Sequence, residues 1–297
     1  MSLPRVAITL GDPAGIGLEI ARKAVADPRV TRACEPVFYG RDDHVEFPPG
    51  MLSAEAGQAA YNAIEDAVRD ALAGRVQAIA TAPINKEAFA LAGLPWRGHT
   101  DLLAHLTGAT GAAMMFYSDP IRVILATVHV PLSEVPRILT RELMESVLRL
   151  TARELPRFGF PTPRIAVAGL NPHAGEAGLL GTEDRDVIMP AIQHCRADGL
   201  DIQGPFPGDT VFVRASRNEF DAVVACYHDQ GLIPVKLLAF GKSVNVTLGL
   251  PIIRTSVDHG TAFDIAGKGV ADPGSLIEAI LLAARLAGRK GPRRGAR

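Results

Sequence analysis

Short runs of Val, Ile, Leu and Ala alternate along the chain with longer stretches in which apolar residues recur every three or four positions. Runs of the first kind suit strands buried on both faces, and stretches of the second kind suit amphipathic helices. Residues 5–12 read as a first strand, "GDPAGIG" as a turn, Leu18 to Val25 as a helix and "EPVFYG" as a second strand. Ser53 is a candidate N-cap for a long helix that carries Glu55 in its first turn and stops at Gly74. "VQAIATAPI" reads as another strand, and two short helices broken by Gly93, Pro95 and Gly98 follow it. Strands then continue from Ala112 to Val257, with helices at about 140–158 and 182–198, and a last helix starts at Gly274. Alternation of this kind is the mark of βαβ units, so the class is α/β with a mainly parallel sheet covered by helices.

At 297 residues the chain is long enough for two lobes. The lobe change is placed near residue 95, with residues 1–95 plus 262–297 forming a first lobe and 96–261 a second. Lys plus Arg number 31 against 32 Asp plus Glu, a formal net charge of -1, so neither nucleic acid nor an anionic membrane is attracted to the chain as a whole. Cys34, Cys195 and Cys226 have no paired spacing, which points to reduced thiols, and the N-terminus reads as a strand rather than a leader. A cytoplasmic protein is expected. The tail "GRKGPRRGAR" is basic and reads as a solvated end.

Three of the apolar runs end in the same way. "RVILATVHVP" carries His129, "RIAVAGLNPHAGE" carries His173 and "DAVVACYHDQG" carries His228, each just past the run. Parallel strands open their C-terminal ends onto one edge, where ligands of open α/β folds bind. Three imidazoles gathered there would hold a divalent metal and leave a coordination position open, and the alternative is three unrelated loop histidines. Asp229, Glu176 and Asp209 stand close enough in sequence to orient a ring or move a proton.

Signals for an anion are more scattered. "GDPAGIG", with Gly11, Asp12 and Gly15, joins a strand to a helix as an anion-binding turn would, yet it is neither GxGxxG nor followed by the acidic residue of a Rossmann site. Residues 256–275 run from a strand into His-Gly-Thr-Ala and a Gly-rich turn that would suit the adenosine end of a nucleotide. Lys86, Lys236, Lys242, Arg254 and the "GHT" of Gly98, His99 and Thr100 offer cations and donors for a phosphate. A metal-dependent phosphohydrolase and a non-catalytic phosphometabolite-binding protein remain open on these residues alone.

Taken in order, "LGDPAGIG", "APINKEA", "GHTDLLA", "NPHAGE", "YHDQGLIPVK" and "VNVTLGLPIIRTSVDHGTAFDIAGKG" resemble the 4-hydroxythreonine-4-phosphate dehydrogenase (PdxA-like) family of pyridoxal phosphate biosynthesis, from residue 5 to about 275. The resemblance implies a two-lobed α/β/α sandwich, like isocitrate and isopropylmalate dehydrogenases, with the active site in the interlobe cleft at a homodimer interface. It implies His129, His173 and His228 as ligands of one divalent ion (zinc, magnesium or cobalt). Substrate contacts would be His99, Thr100, Lys236, Asn245 and Arg254. NAD or NADP would be held by Gly11, Asp12 and Gly15 together with His259, Gly260, Thr261, Ala262 and Asp264, and Asp209 and Lys86 are the candidates for proton transfer. The implied reaction is oxidation of 4-phosphonooxy-L-threonine and decarboxylation to 3-amino-2-oxopropyl phosphate, or the same chemistry on D-threonate or D-erythronate 4-phosphate. Leu18 stands where the family motif has Pro, and the link from "VFYG" to Ser53 is shorter than in many members.

Overall fold

The computed structural model describes residues 2–41 and 46–289. Most of the basic tail and part of the shortened link after "VFYG" lie outside them. The chain divides into two compact units, residues 1–112 with 244–297, and residues 113–243. The first unit is discontinuous, with limits at 112/113 and 243/244 where the sequence reading placed the lobe changes at 95/96 and 261/262. Leu102 and Leu103 pack with Ile79, Phe89, Leu250 and Ile252 in one core, so the second short helix and the chain up to residue 112 belong to the first unit. Val246 and Asn245 pair with Thr255 and Ser256, which brings the whole of 244–261 into that unit as well.

The first unit holds strands β1 (Arg5–Thr9), β2 (Glu35–Tyr39) and β3 (Ala78–Thr81). Its helices up to the boundary are α1 (Gly17–Val25), α2 (Pro28–Ala33), α3 (Ala54–Leu72), α4 (Lys86–Leu91) and α5 (His99–Thr107). The second unit holds β4 (Ala113–Tyr117), β5 (Arg122–Leu125), β6 (Ile165–Ala168), β7 (Ile202–Phe206) and β8 (Ala222–Ala225). Its helices are α6 (Val135–Ile138), α7 (Arg141–Glu154), α8 (Met189–Ala197), α9 (Gly208–Ser216) and α10 (His228–Ala239). The chain then returns to the first unit with β9 (Val244–Leu248), β10 (Arg254–Ser256) and α11 (Gly274–Gly288).

In the first unit the strand order is β2-β1-β3-β10-β9, parallel except for β9. The pleat sends Val6, Ile8 and Leu10 to one core with Leu18, Ile20, Ile277 and Ile280, and Ala7 and Ile79 to another with Ile64, Phe89 and Leu102. Both faces are therefore covered, which is why these strands read as unbroken apolar runs. Burying each of these large aliphatic side chains contributes roughly 1.5–3 kcal/mol. Ser53 caps α3 as expected, its hydroxyl accepting from the Ala56 N–H at 3.0 Å.

In the second unit the order is β4-β5-β8-β6-β7, with β5, β8, β6 and β7 parallel and β4 antiparallel to β5. Val123, Leu125, Ala166, Val223 and Ala225 pack against Val211 and Phe212 of α9 and Leu232 and Val235 of α10. Ile124, Val167 and Val224 point the other way and are equally buried. The helix expected at 182–198 begins with a wide turn over Asp184–Ile188 before α8. The α/β expectation holds in each unit.

Candidate active site

β5, β8 and β6 are adjacent and parallel, so the chain leaves all three at the same edge of the second unit's sheet. His129 follows β5, His228 opens α10 directly after β8, and His173 follows β6. The rings of His129 and His228 stand 5.5 Å apart between centroids. Nδ1 of His228 lies 2.6 Å from the Asp229 carboxylate, so the carboxylate orients the ring and leaves Nε2 turned away from it. Both rings line a cavity of about 230 Å³ whose apolar wall is Val128, Leu132 and Val135.

His173 sits on the same edge in a stretch where His173, Ala174, Gly175, Glu176 and Ala177 all have positive φ, between 44° and 81°. Side chains other than glycine adopt that conformation at a cost, so the surroundings must enforce it. Among the described residues no three His, Cys, Asp or Glu side chains are grouped closely enough to hold a metal ion. The structure thus brings two of the three histidines together and sets the third on the next strand exit. Two imidazoles facing a cavity, one backed by a carboxylate, are a donor set that fits zinc or a similar divalent ion. Asp209 lies in the first turn of α9, next to Gly208, where an added Cβ would be 3.2 Å from Nε2 of Gln230. Lys236 is on α10, its Nζ 5.5 Å from the centre of the Phe240 ring.

The first unit gathers a different kind of chemistry. Arg254 on β10 is only 2% exposed, yet Nη1 donates to the Thr247 hydroxyl at 2.9 Å and Nη2 to the Thr81 hydroxyl at 2.8 Å, with no ion pair among the described residues. Its Nε is buried without a partner. Burial pulls the guanidinium down to about 9. His99 opens α5, and burial, helped by the positive charges of Arg254 and Lys86, holds its imidazole well below the usual histidine range. Nε2 of His99 and Oδ1 of Asn245 are also buried without partners. Buried polar groups are normally satisfied, so three orphans with an uncompensated cation point to an anionic ligand with hydroxyl or amide-like groups. Thr100 follows His99 in α5, and Lys86 begins α4.

Sequence reasoning missed the hydroxyls that support this cluster. Thr81 donates to Ser256 at 2.8 Å while accepting from Arg254, and Thr9, whose hydroxyl is buried and unpartnered, pairs with Thr81 across the sheet. A hydroxyl residue closing an apolar strand was the available signal for Thr9 and Thr81, whereas Ser256 closes the polar strand Arg254–Ser256 and gave no such signal.

The two segments read as a nucleotide site pack against each other. Ile16 N–H donates to the Thr261 carbonyl at 3.1 Å, and a Cβ at Gly15 would stand 3.1 Å from Thr261. Gly11 has φ 69°, and a Cβ there would meet the Pro83 carbonyl at 2.1 Å. Asp12 accepts from the Ala14 N–H through Oδ1, while Oδ2 is buried and unpartnered and burial raises its pKa. Ala262 takes a left-handed φ of 45°, and His259, Gly260 and Asp264 are exposed beside it. The exposed glycine and unpartnered carboxylate oxygen fit a dinucleotide better than a packed interior.

Residues 14–283 match the family described as pyridoxal phosphate biosynthetic protein PdxA. The chain belongs to this family. It is 48% identical to a putative D-threonate 4-phosphate dehydrogenase of Bradyrhizobium diazoefficiens, over 97% of this chain and 98% of the relative. It is 44% identical to a 4-hydroxythreonine-4-phosphate dehydrogenase of Desulforapulum autotrophicum, over 95% of each. The crystal structure of 4-hydroxythreonine-4-phosphate dehydrogenase from Klebsiella pneumoniae superposes with a TM-score of 0.88 at 42% identity, covering 97% of this chain and 99% of that one. Isocitrate dehydrogenase from Methylococcus capsulatus, at 17% identity and a TM-score of 0.53 over 96% of this chain and 88% of its own, shares the fold alone. This PdxA-family chain is accordingly an oxidoreductase of the dehydrogenase kind, and no helix among its described residues is long and apolar enough to cross a membrane.

Proposed function

We propose that the chain catalyses NAD-dependent (or NADP-dependent), divalent-metal-dependent oxidation of 4-phosphonooxy-L-threonine at its 3-hydroxyl, followed by decarboxylation to 3-amino-2-oxopropyl phosphate. The observation that carries the substrate class is Arg254, a buried guanidinium bonded among the described residues only to hydroxyls, in the unit that also holds the orphaned Nε2 of His99 and Oδ1 of Asn245. A phosphate or carboxylate would supply the missing negative charge, and a guanidinium can meet it with paired hydrogen bonds. Thr100 in the first unit would offer the substrate a hydroxyl, and Lys236 in the second unit would offer it a cation. His129, His173 and His228 would hold the metal, which when bound lowers the pKa of the substrate hydroxyl and polarises the resulting carbonyl. Asp209 or Lys86 would take the hydroxyl proton, and Gly11, Asp12 and Gly15 with His259, Gly260, Thr261, Ala262 and Asp264 would hold the nicotinamide cofactor that accepts the hydride. The β-keto acid then loses carbon dioxide.

The same chemistry on D-threonate 4-phosphate, or its erythronate counterpart, is the second reading. It is favoured by relatives named for D-threonate 4-phosphate that match at up to 48% identity, beside relatives named for 4-hydroxythreonine 4-phosphate at 44–45%. The working form is a homodimer in the cytoplasm. Leu237 and Phe240 at the end of α10 are 80% and 77% exposed, an apolar surface suited to a second copy. The test is growth of absorbance at 340 nm with NAD and each phosphorylated substrate, with and without chelator. Turnover of none of them sinks the reading; preference for one settles the substrate.

A further inference from the structure

The edge that carries the three histidines is held together by one side chain with no role assigned so far. β6 and β8 pair through Val167 and Val224 and then part. In the gap, Oε1 of Gln230 accepts from the Cys226 N–H at 2.7 Å, and Nε2 donates to the Gly169 carbonyl at 2.6 Å. A primary amide carries one acceptor and one donor face, so it satisfies both backbone groups that the parting strands would leave bare. Gly169 keeps its bond to β7, its N–H donating to the Phe206 carbonyl at 2.7 Å, so the split is confined to the β6/β8 side. On the far side of β8, the Thr127 hydroxyl and N–H both donate to the Cys226 carbonyl, at 2.8 and 3.2 Å. Beyond Gly169 the chain is clamped again. Asp184, itself buried, accepts from the N–H groups of Leu170 at 2.8 Å and Asn171 at 3.0 Å, two residues before His173.

We propose that Gln230 is a positioning residue: it staples the exits of β6 and β8 and so sets where the His173 loop stands relative to His228, which is on the same first turn of α10 as Gln230. The inference rests on the reading of these histidines as metal ligands. A two-residue offset within one helical turn joins Gln230 to His228 rigidly, and the hydrogen bond to Gly169 transmits that position to the left-handed stretch through Asp184. Loss of the staple frees the loop to drift, and a ligand displaced by a fraction of an ångström binds a metal poorly.

The test uses the full chain as wild type, Gln230→Glu and Gln230→Ala. The Glu variant is isosteric and keeps the acceptor for Cys226 but loses the donor to Gly169; it guards against the Ala variant failing to fold. Hydrogen exchange is followed without added metal, and cobalt(II) affinity is measured by titration. The expected result is faster exchange in residues 169–178 of both variants with α11 unchanged, and cobalt(II) affinity lower by on the order of tenfold to a hundredfold. Unchanged exchange in 169–178 overturns the staple whatever the metal does. Faster exchange with wild-type cobalt(II) affinity overturns the positioning role. A wild-type chain that binds no cobalt(II) sinks the metal reading itself, an outcome separate from the exchange result.

Discussion

Nη2 of Arg254 donates to the hydroxyl of Thr81 at 2.8 Å inside the first unit, and among the described residues the guanidinium bonds only this hydroxyl and that of Thr247. A hydroxyl orients the charge without neutralising it. Under the proposed function the substrate's phosphate or carboxylate supplies the neutralising charge.

Arg254→Met should therefore separate stability from function. Replacing an uncompensated buried charge by an apolar side chain of similar length is often neutral or stabilising by a few kcal/mol. The thermal midpoint is expected to hold or rise, while kcat/KM for the phosphorylated substrate falls by at least about a hundredfold, the loss of a buried charge-assisted bond. A folded variant that keeps its kcat/KM contradicts the assignment.

His99 makes stability sensitive to acid. Its folded pKa is depressed by burial and by Arg254 and Lys86. Below the ordinary histidine value the unfolded chain takes up a proton that the folded chain refuses, so stability is lost as pH falls through that value, with a slope approaching about 1.4 kcal/mol per pH unit for one group. His99→Gln should flatten urea midpoints between pH 7 and pH 5 relative to wild type. An identical pH profile in the two proteins rules the effect out.

Under the proposed function, His129, His173 and His228 are expected to act on turnover and leave nucleotide binding alone. His173→Ala should abolish metal-dependent turnover while NAD binding, followed by fluorescence titration, stays near wild type. Asp229→Asn, which weakens the orientation of His228, should reduce metal affinity by roughly tenfold to a hundredfold. Loss of the fold in His173→Ala would make that residue structural.

Ala177 lies in the left-handed stretch with φ 56°. Glycine adopts this conformation without the penalty of a Cβ, so Ala177→Gly should raise stability by about 0.5–1 kcal/mol even though it adds freedom to the unfolded chain. The thermal midpoint of the purified variant checks the sign, and a decrease means the neighbours already absorb the strain.

Much of the site was legible in the sequence. The apolar runs before His129, His173 and His228 are buried strands, and burial on both faces is written directly into unbroken hydrophobic stretches. Placing three histidines just past such runs fixed them to one edge as soon as the strands were parallel. Gly11 was legible as well, because a backbone that passes this close to the Pro83 carbonyl with a positive φ leaves room for no other residue.

Tertiary structure decided the rest, because it depends on which distant segments become neighbours. Nothing in local pattern says that Thr247 and Thr81 will be the partners of Arg254, or that Gln230 will reach across to Gly169. The unit boundaries moved for the same reason: α5 looks like the start of a new lobe, but Leu102 and Leu103 bury their side chains against Ile79 and Leu250. The sequence determined the elements and the residues at their ends through periodicity and backbone chemistry. Long-range packing alone determined which two histidine rings come together and which buried cation bonds only hydroxyls among the described residues.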